Sequence, residues 1–488
     1  MNGNAAFNKA QQADACCTTG NLHSRYNPHA EAARYIDSLN LKPNIKYFIL
    51  IEPGRGYLIP VLQERFKESK IIVLHVEKQD DLPGIDSDIP VFTGTEPAQV
   101  QGFLEANIKD NIENVKIIEW RPSLNYYKEA YVKIFSQVAA FLKRANAGNR
   151  TTALFGTRWV KNFFRNLDKL NKSLLYRQTE IPVIITGSGP SLEKALPVIK
   201  EAQNTHLIIA ASSSVMALSN SGISADLIIA TDGGSWALRH LYACCRNSLF
   251  QKKDNGTKAL AVNLCAALPS QCENIPFFLL NDGSFWQSAV LHDLALPSVI
   301  TAQRGTVTAT AVDLALMLSS SNIYLAGMDL SVNDIRTHAK PYSFDNLFLS
   351  CANRFNPFYS QCFLRSFYTS KGESLDIYAS WFKTQTDSWE KRIFSITDSN
   401  IFKTGKPEKI TANKKNGGCF KEEAVKKSGL NLREKGTAAL INALHNKEYA
   451  QNIKQELSSL LFSDREDVTD EELEIKIKKI ALPGTCHE

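Results

Sequence analysis

Six short apolar runs constrain this chain more than any other feature: Ile181–Thr186, His206–Ala211, Asp226–Thr231, Ala259–Leu264, Pro276–Leu280 and Asn322–Gly327. Each is five or six residues long, and stretches of helical periodicity separate them. A strand apolar along its whole length, rather than at alternate positions, is one buried on both faces. Strands of that kind alternating with helices predict a parallel sheet covered on both sides, a doubly wound α/β domain over residues 181–400.

The preceding chain repeats the theme on a smaller scale. Ile45 to Ile51 is apolar, Glu52-Pro53-Gly54-Arg55-Gly56-Tyr57 follows, Leu58, Val61, Leu62 and Phe66 share a helical face, and Ile71 to Val76 leads to Glu77. Strand, glycine turn, helix, strand and acidic residue outline a nucleotide-binding βαβ half. The third glycine of the dinucleotide fingerprint is missing, so the Gly54-Arg55-Gly56 turn stays open between a ligand site and a Rossmann-like unit kept for packing or partner contact. Residues 1–147 form the expected N-terminal α/β domain and 148–180 a helical connector. The connector's Arg158, Trp159, Lys161, Phe163, Phe164 and Arg165 suit an amphipathic helix or an anion- or partner-binding surface. Beyond residue 401, the lysine-rich stretch Lys403–Lys427 reads as a linker. Leu440, Leu444, Ile453, Leu457, Leu460 and Leu461 recur at helical spacing, and Thr469 before acidic residues suits a helix start. Leu473, Ile475 and Ile477 alternate instead, leaving their type ambiguous. The reading of 401–488 is a linker and a helical region.

Composition excludes several classes. The 488 residues carry 56 Lys plus Arg against 50 Asp plus Glu, too even a balance for a nucleic-acid footprint. The most apolar stretch, Val307–Leu318, is interrupted by Thr308, Thr310 and Asp313 and is short for a membrane span. No secretory signal pattern opens the sequence, so the expected location is the cytoplasm. Ten cysteines without C-x-x-C spacing indicate reduced thiols and no zinc site.

Chemistry concentrates at strand ends. The run Ile181–Thr186 enters Gly187-Ser188-Gly189-Pro190-Ser191 and then a helix. Glycines let a backbone approach a ligand, and a helix start offers amides and a positive dipole end to a phosphate. The same glycines equally suit a tight structural turn. Asp232 closes the strand after Asp226 and lies where parallel sheets place ligands, suited to a hydroxyl, a metal or a substrate group, whereas Asp226 suits a cap or turn. Gly305 and Thr306 open a helix as a second anion cradle or as a close-packing device, and Asp329 ends the strand Asn322–Gly327. His338 sits in the polar loop that follows, where an imidazole titrating near working pH can serve as a base.

At these residues the chain resembles a known family. Ile184-Ile-Thr-Gly-Ser-Gly-Pro-Ser-Leu192, the strand ending at Asp232, Arg304-Gly-Thr306, Tyr324-Leu-Ala-Gly-Met-Asp-Leu330 with His338, Tyr368-Thr-Ser370, Leu375-Asp-Ile-Tyr-Ala-Ser-Trp-Phe382 and Ile118-Glu-Trp-Arg-Pro-Ser123 are together similar to the motility accessory factor (Maf) family. That family shares a domain with 6-hydroxymethylpterin diphosphokinases of the MptE type. The resemblance implies a sialyltransferase-like fold and a cytoplasmic glycosyltransferase. Its donor would be a CMP-activated nonulosonic acid of the pseudaminic or legionaminic type, and its acceptors Ser or Thr of flagellin, in support of motility. It places Gly187, Ser188, Gly189, Pro190 and Ser191 around the CMP phosphate, Asp232, Gly305, Thr306 and Asp329 along the cleft, and His338 as activator of the acceptor hydroxyl. A divalent metal is left open. Two departures stand out: Thr397-Asp398-Ser399-Asn400 lacks the family's glycines, and Gly327-Met328-Asp329 replaces the commoner Gly-Gln-Asp. Two other readings compete, a pterin diphosphokinase using ATP and magnesium and a non-catalytic flagellin-binding protein.

Overall fold

The computed structural model describes residues 22–78, 88–108, 114–247, 259–301, 305–331, 335–371, 391–407, 420–425, 431–446, 448–462 and 467–482, with isolated residues between 372 and 390 and at 465. The chain divides into two compact units, 1–149 and 150–488.

In the first unit the order is α1 (Pro28–Ser38), β1 (Tyr47–Ile51), α2 (Leu58–Arg65), β2 (Lys70–His75), β3 (Val91–Thr93), α3 (Pro97–Asn107), β4 (Val115–Glu119) and α4 (Arg121–Tyr127), followed by the start of the long helix α5 (Glu129–Leu167). The four strands form a parallel sheet in the order β3-β2-β1-β4. All five residues of β1 are buried because they alternate between two cores. Phe48 and Leu50 pack with α1 and α2, while Tyr47, Ile49 and Ile51 pack with α3 and with Tyr131, Ile134, Val138 and Phe141 of α5. The expected βαβ unit is present.

The second unit takes the end of α5 and continues with β5 (Lys172–Tyr176), β6 (Val183–Thr186), α6 (Leu192–Ala202), β7 (Leu207–Ala211), α7 (Val215–Asn220), β8 (Leu227–Ala230), α8 (Ser235–Arg246), β9 (Ala259–Asn263), β10 (Phe277–Asn281), α9 (Phe285–Asp293), β11 (Ser298–Ile300), α10 (Val307–Leu318), β12 (Ile323–Ala326), α11 (Asp345–Ser350), α12 (Phe358–Lys371), β13 (Ile393–Ser395), β14 (Phe420–Ala424), α13 (Leu432–Asn446), α14 (Ala450–Leu461) and α15 (Asp470–Ala481). The strands form one sheet, β13-β12-β6-β7-β8-β9-β10-β5-β14, with β11 also pairing with β10. Every pairing is parallel except β14 on β5.

All six long apolar runs are strands, and their period-two burial explains why they are apolar throughout. Ile184, Ile208, Ile228 and Leu260 face one core, filled by α6, α9 and the end of α5. Val183, Ile185, Leu207, Ile209, Leu227 and Ile229 face the other, filled by α10. The apolar stretch Val307–Leu318 is therefore a sheet-covering helix, and among the described residues no helix is long and apolar enough to cross a membrane. Phe163 and Phe164 of the basic–aromatic stretch lie in the first of these cores.

The C-terminal region differs from a separate helical module. Leu440, Leu444, Ile453, Leu457, Leu461, Leu473 and Ile477 belong to the same core as α6 and α9, because α13–α15 complete the cover of that face of the sheet. Within the expected lysine-rich linker, residues 420–424 form the edge strand β14, whereas 408–419 and 426–430 lie outside the described residues. The ambiguous Leu473–Ile477 alternation is helical: Leu473 and Ile477 are buried and Ile475 is exposed. Thr469 and Glu472 form the capping box that starts α15.

Candidate functional site

The chain runs outward from β6 through β7, β8, β9 and β10, and then returns past β6 to place β12 on its other side. The carboxyl ends of β6 and β12 therefore flank the point where strand order reverses, the position at which open parallel sheets leave a crevice. Gly187–Ser191 follows β6, and Gly327–Asp329 follows β12.

These two turns are built against each other. The Gly187 amide donates to Ala326 O and that of Gly189 to Gly327 O, both at 2.8 Å, extending the pairing past the strand ends. A Cβ on Gly187 would stand 2.5 Å from Gly327 O, and one on Gly327 (φ +67°) would stand 2.5 Å from Gly187 O. Glycine is needed here for close backbone approach. The Asp329 carboxylate then reaches across and accepts the Ser191 amide at 2.8 Å, at the start of α6. An acidic group at that position complements the helix dipole. Ser191 is the residue before the first helical turn, and Pro190 lies outside the helix rather than at its first position. The Ser191 hydroxyl is buried with no hydrogen-bond partner among the described residues.

Ser188 joins three segments. Its hydroxyl accepts from Ser213 Oγ (3.0 Å), and its carbonyl accepts from the Ala339 amide (2.8 Å), next to His338. Glu193, one turn further, accepts the Lys340 amide (3.0 Å) and pairs with Arg336 (3.0 Å), so the His338 loop is fastened to the first turn of α6. Thr186 and Ser214 share a buried hydroxyl pair beneath (2.8 Å).

His338 stacks on Tyr342, with ring centroids 4.1 Å apart, and its Nδ1 lies 2.8 Å from Thr337 Oγ1. Burial, followed by the charges of Arg365, His240 and Lys340, pushes its pKa down to about 3, so the ring is neutral at working pH. Burial likewise lowers His240, which bonds Ser343, to about 4. Trp236, His240, Tyr342 and Phe344 form a contiguous aromatic group between α8 and this loop.

Asp232 is exposed just past β8, and its Oδ1 accepts the Gly234 amide at 2.7 Å. The loop is held from behind: Asn162 of α5 donates to Gly233 O (3.2 Å) and Cys265 O (3.0 Å), and Trp159 packs where a Gly233 Cβ would be. Tyr378 connects Asp232 with Gly305. Burial and then the Asp232 charge raise its phenol pKa, and a Cβ on Gly305 (φ +79°) would stand 2.6 Å from the Tyr378 ring. The Thr306 hydroxyl caps α10 by accepting the Ala309 amide (3.1 Å), so it serves the helix. Arg304 lies outside the described residues, as does part of the Leu375–Phe382 motif. Among the described residues no three His, Cys, Asp or Glu side chains cluster as a metal site. In the first unit the Gly54 turn is filled by the chain itself: His23 Nε2 accepts the Arg55 amide at 3.0 Å and stacks on Trp120.

Residues 158–334 match the family described as 6-hydroxymethylpterin diphosphokinase MptE-like. The match spans roughly a third of the chain. It covers the strands β6 to β12 and hence both turns at the reversal point, while α12 and the C-terminal helices lie beyond it. The chain is similar to an uncharacterized protein of Treponema pallidum (strain Nichols), 27% identical over 304 residues that make up 60% of this chain and 64% of that protein. The match thus spans under two thirds of the relative's length. Among solved structures, the MAf glycosyltransferase from Magnetospirillum magneticum AMB-1 aligns with a TM-score of 0.49 at 14% identity, over 93% of this chain and 76% of that one.

Sequence reading missed Glu193, Tyr342 and Arg365. Glu193 shows in the sequence only as an acidic first-turn residue; Arg365 stands on a helix whose aromatic residues dominate its pattern.

Proposed function

We propose that the MptE-like domain is the donor-binding part of a Maf-type glycosyltransferase, moving a nonulosonic acid from its CMP ester to Ser or Thr hydroxyls of flagellin. One observation carries the reading. Three motif segments far apart in the sequence, Gly187–Ser191, Gly327–Asp329 and the His338 loop, meet at the reversal point of the sheet through the Ser191–Asp329 and Ala339–Ser188 hydrogen bonds. They are among the segments on which the Maf resemblance rests.

In this mechanism the acceptor oxygen attacks the anomeric carbon, a new C–O bond forms, and the bond from that carbon to the phosphate oxygen breaks. CMP leaves with the bonding pair, its charge met by the positive end of the α6 dipole and by the Ser188 and Ser191 hydroxyls, since the amides of Gly187, Gly189 and Ser191 are already donated to Ala326 O, Gly327 O and Asp329. The acceptor proton passes to His338, whose neutral ring is free to take it at Nε2 when Nδ1–H donates to Thr337. Asp232, exposed just past β8, and Tyr378, which feels its charge, would orient sugar or acceptor hydroxyls. Gly189 and Asp329 position the turn rather than contact the donor. If a divalent ion takes part, Asp232 is the exposed carboxylate available to it.

Calorimetric titration tests this reading with CMP and, separately, with ATP plus magnesium, on the wild type and on Ser188→Ala. CMP binding that weakens in the variant supports it. ATP binding without a CMP response replaces it with the diphosphokinase, and silence toward both replaces it with a flagellin-binding accessory role. Transfer itself is read as a mass increase on flagellin incubated with the CMP-sugar, absent in His338→Gln.

A further inference from the structure

The His338 loop and helix α12 enclose a cavity of about 170 Å³, open on one side, whose wall includes Arg336, His338, Lys340, Tyr342, Phe348 and Arg365. Two of its three cations are matched. Arg336 pairs with Glu193 at 3.0 Å, and Lys340 pairs with Asp345 while lying over the Phe358 ring. Arg365 has no carboxylate partner among the described residues. Its guanidinium lies over the Phe348 ring, 4.3 Å from the centroid.

A guanidinium held over a ring face by cation–π attraction keeps N–H groups available for two parallel hydrogen bonds. The complement of that edge is a planar group with two oxygens. A partly buried cation without a partner carries a desolvation cost that an anionic ligand relieves, and one unmatched positive charge balances one negative charge. Both arguments favour a carboxylate over a phosphate dianion. At about 170 Å³ the cavity takes the carboxylate end of a sugar rather than the whole of one, and Tyr342 and Phe348, whose ring faces are covered by His338 and Arg365, line its apolar side.

We propose that Arg365 anchors the carboxylate of an acidic sugar in this cavity, so that the site selects a sugar acid over a neutral sugar and holds it beside His338. The inference rests on the sugar-transfer reading to the extent that this acid is part of the donor. Burial is the first cause of the low His338 pKa and the Arg365 charge the second. A carboxylate seated on Arg365 offsets only that second cause, which makes His338 a somewhat stronger base while burial continues to hold it down.

The test is titration with N-acetylneuraminate, its methyl ester, CMP and CMP-N-acetylneuraminate, on the wild type, Arg365→Met and Arg365→Lys. The wild type should bind the acid and not the ester. Losing a charge-assisted pair should weaken acid binding roughly ten- to hundredfold in Arg365→Met. Arg365→Lys should fall between, because it keeps the charge and loses the fork. CMP affinity and thermal stability should be unchanged in both variants. Equal binding of acid and ester, no acid binding by the wild type, or undiminished acid binding by a folded Arg365→Met overturns the proposal. CMP binding without acid binding would leave the transferase reading standing and remove Arg365 from it. Acid binding without CMP binding would do the reverse.

Discussion

Replacing Gly189 by alanine probes the joint between β6 and β12 directly. The added Cβ would stand 2.8 Å from Asp329 Cγ and 2.9 Å from Gly327 O, both inside van der Waals contact. The carboxylate can swing away, but only by releasing the Ser191 amide, a charged hydrogen bond worth about 1.5–3 kcal/mol. The Gly327 carbonyl is backbone in the neighbouring turn, and forcing such a contact apart costs about 1–3 kcal/mol more. The expected total is about 2.5–6 kcal/mol. At roughly 2 °C per kcal/mol for a unit of this size, the melting temperature should fall by about 5–12 °C. Scanning calorimetry reads this, and the transition that moves should belong to residues 150–488. A double-mutant cycle with Asp329→Ala separates the two parts. In the Asp329→Ala background the alanine at 189 should cost only the backbone share, about 1–3 kcal/mol. A Gly189→Ala protein melting within about 1 °C of wild type, or strict additivity in the cycle, would refute the argument.

Three further outcomes are expected. His338 and His240 are held neutral by burial, down to about 3 and about 4. The unfolded chain therefore takes up their protons first, and stability present above the ordinary histidine pKa is lost as pH falls toward the folded values. Denaturation midpoints measured from about pH 7.5 down to about pH 4.5 should decline in the wild type and less steeply in His240→Gln/His338→Gln; identical slopes would contradict this. Asn162→Ala frees the carbonyls of Gly233 and Cys265 behind Asp232, so transfer activity should drop severalfold with a stability loss of about 1–2 kcal/mol, and unchanged kinetics would separate α5 from the site. Glu456 of α14 accepts the amides of Phe285 and Trp286 at the start of α9 (3.0 and 3.1 Å). Glu456→Ala should destabilise by about 1–2 kcal/mol, with Glu456→Gln milder, as measured by denaturant titration.

What could be read from the sequence followed from burial. β6, β7 and β8 were legible because neighbours such as Ile184 and Ile185 serve opposite cores, so these strands are apolar throughout except for Thr186 at the end of β6. β14 reads Phe-Lys-Glu-Glu-Ala and is a strand only because β5 pairs with it; β11 and β13 are three residues long. Their identity lies in a partner, which no local pattern encodes. The same holds at the site. Gly187 and Gly189 were visible as a turn, yet their principal contact is Gly327, whose separation in sequence hides that the glycines serve backbone approach. Thr306 stood open between an anion cradle and close packing, and the structure shows its hydroxyl capping α10, a role that uses the same atoms an anion would meet. Arg365 left no trace, because its meaning depends on Phe348 and on a loop from another part of the chain.

The packing of α13–α15 into the core shared with α6 and α9 has a consequence for synthesis. The first unit can close soon after residue 149 emerges from the ribosome, since its sheet and both its cores are drawn from earlier sequence. The second unit cannot. Its sheet strands emerge with one face lacking the residues that cover it, including Leu444, Leu457 and Ile477, and α9 waits for its cap from Glu456. A nascent chain stopped between the strands of the second sheet and α15 therefore carries an open apolar sheet face, a substrate for chaperones or proteases rather than a shortened but working protein.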